Sequence, residues 1–250
     1  MMEQITVFDF LRGDERTVER ISREKAKPFV ESIHYSQKYP TNVTHSFGLF
    51  EGGVLIGVCT YGVPASPPLC KGIAGEKNKD RVLELNRLAI RPGFNGNNRA
   101  SYLVSHSLKM LPSRTYVVSY ADTRWTHIGY VYQACNFLYT GCTKERKDKY
   151  TPNGKHSRHY LKNSGFHQMR SAKHRYVYLV GNRREVREMR KELRYPVLDE
   201  YPKGDERRYD TNDPQMAIPI QVFKDDGDSI AVTKERIGND NERINVEPHG

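Results

Sequence analysis

The chain has 250 residues, 37% of them hydrophobic, and a formal net charge of +10. That is enough apolar material for one sizeable core, or a core plus an appendage; no run of about eighteen apolar residues and no apolar signal segment is present, which argues for a cytoplasmic protein and against a membrane span or a secreted product. Residues 210–250 hold nine acidic and four basic residues, so the rest of the chain carries +15, a balance that points to a polyanionic partner, nucleic acid foremost, with a merely soluble surface as the plain alternative.

Residues 14–33 carry scattered apolar positions (Val18, Ile21, Phe29, Ile33) among charges, which predicts one or two short helices. The polar loop HYSQKYPTN follows from His34 to Asn42. HSFGLF (45–50) and VLIGVCTYG (54–62) flank Glu51-Gly52-Gly53 and read as a β-hairpin. Residues 63–80, rich in Pro, Gly and Lys, read as a loop. VLELNRLAI (82–90) is a strand, RPGFNGNN (91–98) a Gly/Asn loop and RASYLVSHSLKML (99–111) an amphipathic helix. TYVVSYAD (115–122) reads as a strand, GYVYQACNF (129–137) as a helix and LYTG (138–141) as a further strand. This order predicts an α/β core.

Residues 144–194 form a second zone with sixteen basic and five acidic residues, containing the strand HRYVYLV (174–180) and the charged helix NRREVREMRKEL (182–193). Beyond Pro202 the chain turns polar and Asp/Asn-rich, with one apolar island, MAIPIQVF. The expected organisation is a core over 1–143, a basic segment over 144–204 that completes the sheet and contacts DNA, and an acidic, flexible tail over 205–250.

Several motifs could carry chemistry. The loop RPGFNGNN leads into a helix whose first amides could hold phosphate, with Gly96 allowing close approach and Arg91 and Arg99 adding charge; an ordinary connecting loop is the alternative. Ser119 and Asp122 stand at a strand's carboxyl end, where catalytic groups gather, though Asp122 is equally suited to cap a helix. Tyr132 is a core aromatic or a proton donor. His34 and Tyr35 could supply a base and a stacking platform for a nucleobase, or belong to a surface loop without a role. Lys155, Arg158, Lys173 and Arg175, set among Tyr160 and Phe166, suit phosphate contacts. His156, His159, His167 and His174 lie in the same zone without a metal-binding signature, so a metal ion is conceivable but unplaced. Cys59, Cys70, Cys135 and Cys142 match no zinc spacing and read as buried thiols.

The order strand, loop, helix, strand, helix, strand, with GYVYQACNF in place of a helix ending A-x-x-x-Y-x-x-x-G-F, resembles the acyl-CoA N-acyltransferase (GNAT) superfamily. Asn136 stands where that pattern has glycine, and Asn95–Ala100 keeps a single glycine in the pyrophosphate loop. The segments IHYSQKYP, GVCTYGVP, LELNRLAI, SHSLKML, VVSYADTRWTHIGYVYQACNFLYTG and KHRYVYLVG, spanning roughly residues 30–182, resemble the bacteriophage Mom family of DNA-modification proteins. That likeness implies a GNAT-like mixed, mostly antiparallel sheet with flanking helices and a basic C-terminal extension. It implies transfer of a small acyl- or acetamido-type group to N6 of adenine in double-stranded DNA, protecting phage DNA from restriction in the cytoplasm of the infected host. The donor that the resemblance implies is acetyl-CoA or another acyl-CoA-like compound.

Carried over by motif, the likeness marks His34, Tyr35, Arg87, Ser107, Asp122 and Tyr132. Asp122 would accept a proton from N6 or orient it, with His34 as the alternative base. Tyr132 would protonate the departing group, Arg87 and Ser107 would hold donor or phosphate, and Tyr61 with the HYS loop would stack on a flipped adenine. A catalytically inactive DNA-binding protein and a protein N-acyltransferase are the competing readings.

Overall fold

A computed structural model of the protein describes residues 16–34, 36–149, 166–204, 220–224, 229–234 and 244–246. Tyr35, Lys155 and Arg158 lie outside the described residues. In chain order the elements are β1 (Arg16–Arg20), α1 (Arg23–Ile33), β2 (Val43–Glu51), β3 (Val54–Gly62), α2 (Pro67–Asn78), β4 (Val82–Ile90), α3 (Arg99–Lys109), β5 (Thr115–Asp122), α4 (Tyr130–Ala134), β6 (Leu138–Cys142), β7 (Arg146–Lys149), β8 (Phe166–Arg170), β9 (Lys173–Val180), α5 (Arg183–Glu192), β10 (Ile220–Lys224), β11 (Ser229–Lys234) and β12 (Ile244–Val246). Two sheets result, one ordered β1-β2-β3-β4-β5-β9-β6 and the other β12-β11-β10-β8-β7.

The first sheet begins as an antiparallel run from β1 to β4 and changes direction at the parallel pair β4/β5. Gly52 and Gly53 both take positive φ in the two-residue connection between Glu51 and Val54, which is why this sequence turns so tightly there. Side chains of β3 alternate between two helices. Val58 faces α1 with Ala26, Phe29 and Val30. Gly57 sits against Leu103 of α3, and Cys59 and Tyr61 reach Ser107 on the same helix. Farther along the sheet, Cys70, Ile73 and Ala74 of α2 and Met189 of α5 close over Val82, Tyr116, Val118, Val177 and Leu179. The architecture is the mixed α/β fold, with a mostly antiparallel seven-stranded sheet and flanking helices, that the sequence implied.

Three segments differ from expectation. RTVER (16–20) is a strand because it pairs along β2, from Arg16↔Glu51 to Arg20↔Phe47. Residues 67–78, read as a loop for their Pro and Gly, form a helix: a proline at the first turn is compatible with helix geometry, and Gly75 absorbs a kink at φ 75°. The stretch 205–250, expected to lack dense structure, contains β10 to β12, all paired antiparallel, with β10 also joined to β8.

By contacts the chain divides into two units, one comprising residues 1–120, 129–141 and 175–203 and the other 121–128, 142–174 and 204–250. Among the described residues, no helix is long and apolar enough to cross a membrane.

Candidate active site

In the first unit, β4 and β5 pair only over Val82–Glu84 and Tyr116–Val118, although both strands continue. Where the ladder stops, the Ser119 hydroxyl donates to the Leu85 carbonyl at 3.0 Å. A side chain has taken the place of the next backbone rung, and the two strands part. On its other edge β4 stays paired with β3 as far as Ile90. Beyond Leu85, among the described residues, β4 is paired along its β3 edge and no longer with β5.

The HYS loop is latched onto this sheet. Arg87 donates from Nε to the Lys38 carbonyl at 2.9 Å, and Tyr39 bonds Ser46 at 3.0 Å. The Asn42 amide donates to the Val63 carbonyl. Arg87 therefore holds the loop as well as being a candidate donor ligand. His34 is buried at the end of α1. Its Nδ1 accepts the backbone N–H of Ser36 at 3.1 Å and lies 2.9 Å from the Ser36 hydroxyl. A backbone N–H can only donate, so Nδ1 is the acceptor nitrogen and the neutral ring carries its proton on Nε2. In this tautomer the ring hydrogen sits on Nε2, which suits His34 to donate a hydrogen bond more than to remove a proton. Ser36, the third letter of HYS, belongs to the loop cluster legible in the sequence but carried no role there. Nearby, Asn86 accepts from Thr60 at 2.6 Å, while its Nδ2 is buried without a hydrogen-bond partner among the described residues.

Tyr61 and Ser107 belong to the core. The Tyr61 ring is fully buried and meets Phe47 edge-on, with centroids 5.9 Å apart. Its hydroxyl lies 2.6 Å from the Ser107 hydroxyl, which donates in turn to the Val104 carbonyl, and the Cys59 thiol completes the cluster. No face of Tyr61 is open to a base, so the stacking role expected of it gives way to a structural one. Likewise the buried Ser107 hydroxyl is committed inside the fold and not to a phosphate. Burial pushes Cys59 up to about 12 and Tyr61 well above the usual phenol range, which keeps both protonated at neutral pH.

The Gly/Asn loop turns sharply into α3, with Gly96, Asn97 and Asn98 all at positive φ and open space where a Cβ of Gly96 would stand. Arg99 grips Glu51 through Nε and Nη2, both at 2.8 Å, and Arg16 lies 2.6 Å from the same carboxylate. The hydrogen bond from Arg99 holds Glu51 below the ordinary carboxylate range against the opposing effect of burial. Any phosphate arriving at the start of α3 would compete with this carboxylate. Arg91 donates to the Leu55 carbonyl at 3.3 Å and lies over the Phe29 ring.

Tyr132 is fixed by the way its short helix ends. The N–H of Phe137 bonds the Tyr132 carbonyl and that of Asn136 bonds the Gln133 carbonyl, both at 3.0 Å. Asn136 takes φ 58°. This is a Schellman closure, and its apolar contact is the Tyr132–Phe137 ring pair at 5.4 Å. Tyr176 lies 5.4 Å from Tyr132 on a further side. Gly129 precedes the helix at φ 81°, and a Cβ there would fall 2.5 Å from the Tyr176 ring, so this position of the HxGYxYQ motif admits only glycine.

Asp122 belongs to the second unit. Its carboxylate caps the turn Thr123–Trp125 by accepting the Arg124 N–H at 3.0 Å, and it also accepts from Ser171 and pairs with Lys173 at 2.8 Å. Burial works to raise its pKa, but the hydrogen bonds from Lys173 and Ser171, with the Lys173 charge and the Arg124 amide, hold it below the usual aspartate value. A carboxylate so stabilised orients and accepts hydrogen bonds well and is a weak base. Of the two readings of Asp122 from sequence, the capping one is what the structure shows. Lys173 is engaged with it. In the first unit Arg175 bonds Thr140 and stacks 3.4 Å from the centroid of Tyr195. Among the described residues, no cluster of His, Cys, Asp and Glu could hold a metal ion.

The profile of the Mom protein family matches residues 15–203. The chain belongs to the Mom protein family. A curated member, "Methylcarbamoylase mom" of Escherichia phage Mu, is 33% identical over 131 residues, covering 51% of this chain and 54% of that protein; the match spans about half the length of the relative. Among solved structures, an IAA acetyltransferase from Bacillus cereus is similar at a TM-score of 0.42 and 15% identity, over 65% of this chain and 98% of that one. An N-acetyltransferase from Staphylococcus aureus is similar at 0.43 and 13% identity, over 67% of this chain and 99% of that one. The Mom match takes in the HYS loop, β4 and β5, Asp122 and Tyr132.

Proposed function

We propose that this Mom-family chain is a DNA-modifying transferase that places a small acyl- or acetamido-type group on the exocyclic N6 of adenine, using an acyl-CoA-like donor. The observation that carries the reading is the parting of β4 and β5 beyond Leu85. An open strand edge pairs with an extended chain that bears amides, and the arm of an acyl-CoA is such a chain. When bound, a donor of this kind supplies an acyl carbon attached to a thiolate leaving group. The name of the phage Mu relative, a methylcarbamoylase, suggests a group of the same size and polarity.

An adenine N6 is inaccessible inside a duplex, so the base must leave the stack at a cost of about a few kcal/mol, which cationic contacts to the phosphates offset. The ionised Asp122 orients the amino group by accepting from it. His34 donates from Nε2 to an acceptor on the base or on the acyl group. The phenol of Tyr132 gives a proton to the departing thiolate as the carbon–sulfur bond breaks, the proton that N6 loses on bonding to the acyl carbon returns to Tyr132 through solvent, and Arg87 keeps the loop bearing His34 in place.

Mass spectrometry of nucleosides from the DNA of cells expressing the chain tests this reading. An adenosine-derived mass absent from control cells is expected, and Tyr132→Phe should lose most of it while still unfolding cooperatively on heating. Unmodified DNA would overturn the reading, and acylated protein alongside unmodified DNA would transfer the activity to a protein lysine.

A further inference from the structure

α5 and the residue pair beyond it carry Arg183, Arg184, Arg187, Arg190, Lys191 and Arg194 against three acids, Glu185, Glu188 and Glu192. Alternating charges of this kind ordinarily pair with one another along a solvated helix face. Here each acid makes a contact with the body of the protein, and Glu188 also pairs along the helix with Arg184. Glu185 accepts from the Asn182 N–H at 2.8 Å and from the Ser113 hydroxyl at 2.6 Å, closing a capping box. Glu188 takes Arg114 at 2.9 Å, with Arg184 at 3.2 Å. Glu192 accepts from Tyr116 and from Asn78, each at 3.1 Å.

What remains outward is cationic. Arg183, Arg187 and Arg190 stand at i, i+4 and i+7, one stripe of the helix, with Lys191 beside them and Arg194 continuing past the helix end; all are exposed. Among the described residues, no carboxylate pairs with any of these five. The stripe runs about 10 Å from Arg183 to Arg190, a length over which a DNA strand presents about three phosphates. Two arginines, Arg183 and Arg184, occupy the first turn, where the helix dipole disfavours positive charge, so their placement is not explained by helix stability. The apolar residues Val186, Met189 and Leu193 face inward or are partly buried. The stripe thus lacks the apolar centre that an interface with an acidic protein needs.

We propose that the outer stripe of α5, formed by Arg183, Arg187, Arg190 and Arg194 with Lys191, is a contact surface for the phosphate backbone of duplex DNA. It rests on the reading of DNA as substrate and adds a surface that sequence charge alone spread over the whole basic zone. The arginines position the duplex and read no bases.

The test is fluorescence anisotropy of the full chain with labelled duplexes of several sequences across a salt series. Replacing Arg183, Arg187 and Arg190 by Gln should weaken binding alike for all sequences, and should lower the slope of log K against log salt by about 0.9 for each phosphate that the variant no longer neutralises. The corresponding Lys variant should retain most of the slope, and melting temperature controls for folding. Wild-type affinity and slope in the Gln variant would overturn this proposal while leaving DNA as substrate intact. A wild-type chain that binds no duplex would overturn both. Wild-type binding to polyglutamate in preference to DNA would overturn the proposal in favour of an acidic protein partner.

Discussion

Asn136 stands where the acyltransferase pattern has glycine, and its φ of 58° explains why. The position is the residue just past a Schellman closure, where the left-handed conformation is required; Gly adopts it freely and Asn next best. Asn136→Gly should therefore leave stability nearly unchanged, whereas Asn136→Ala should lose about 1 kcal/mol and loosen Tyr132, which the closure holds. Urea unfolding of the two variants checks this. At Asp122 the sign of the shift decides the pH dependence. Its folded pKa is lowered, so the pairing with Lys173 and Ser171 stabilises the fold above the unfolded value of about 3.9 and is lost as pH falls through the lower folded value. Asp122→Asn keeps an oxygen for the Arg124 N–H. Its stability deficit relative to wild type should be flat from about pH 5 to 8 and shrink below about pH 4; a deficit that grows on acidification would contradict the ionised state.

Among the elements, the parting of β4 from β5 is the one on which the proposed function rests, and Ser119 marks where it begins. Its buried hydroxyl donates to the Leu85 carbonyl. Ser119→Ala leaves that carbonyl without its donor and should cost about 1–3 kcal/mol, seen as a lower melting temperature, while Ser119→Thr should recover part of the loss. The strands themselves were legible because hydrophobic alternation has a period of two, and β3, β4 and β5 fall where the sequence put them. β1 was not, since RTVER has little apolar content and becomes a strand only by pairing with β2. α2 was obscured by Pro and Gly, which read locally as turn residues but sit at a helix start and a kink. The hairpin of β10 and β11 did have a signal, two apolar runs around Asp-Asp-Gly-Asp, hidden by the acidic composition surrounding it.

On the scale of the whole molecule, charge is sorted by direction as well as by sequence. The basic zone from 144 to 194 looked uniform along the chain, yet its members do different work. Lys173 neutralises Asp122, Arg175 ties Thr140 to Tyr195, Arg170 pairs with Asp148, and the stripe on α5 faces outward. Arg99 and Arg87, chosen from sequence as ligands, are anchored to Glu51 and Lys38. A sequence reports how many charges a segment holds; folding decides which of them are left for a partner.

From the sequence alone came the mixed α/β class, the family likeness and the motifs that frame the site, because periodicity and motif spacing are local properties of the chain. Only the tertiary structure could separate Tyr61 and Ser107, buried in the core, from Tyr132, held by its own helix closure. It also gave His34 a defined tautomer, through an amide two residues away, and ended the pairing of β4 with β5 at Glu84. These depend on which groups meet after folding, and a hydrogen bond across 34 residues, such as Ser119 to Leu85, leaves no periodic trace in the chain that makes it.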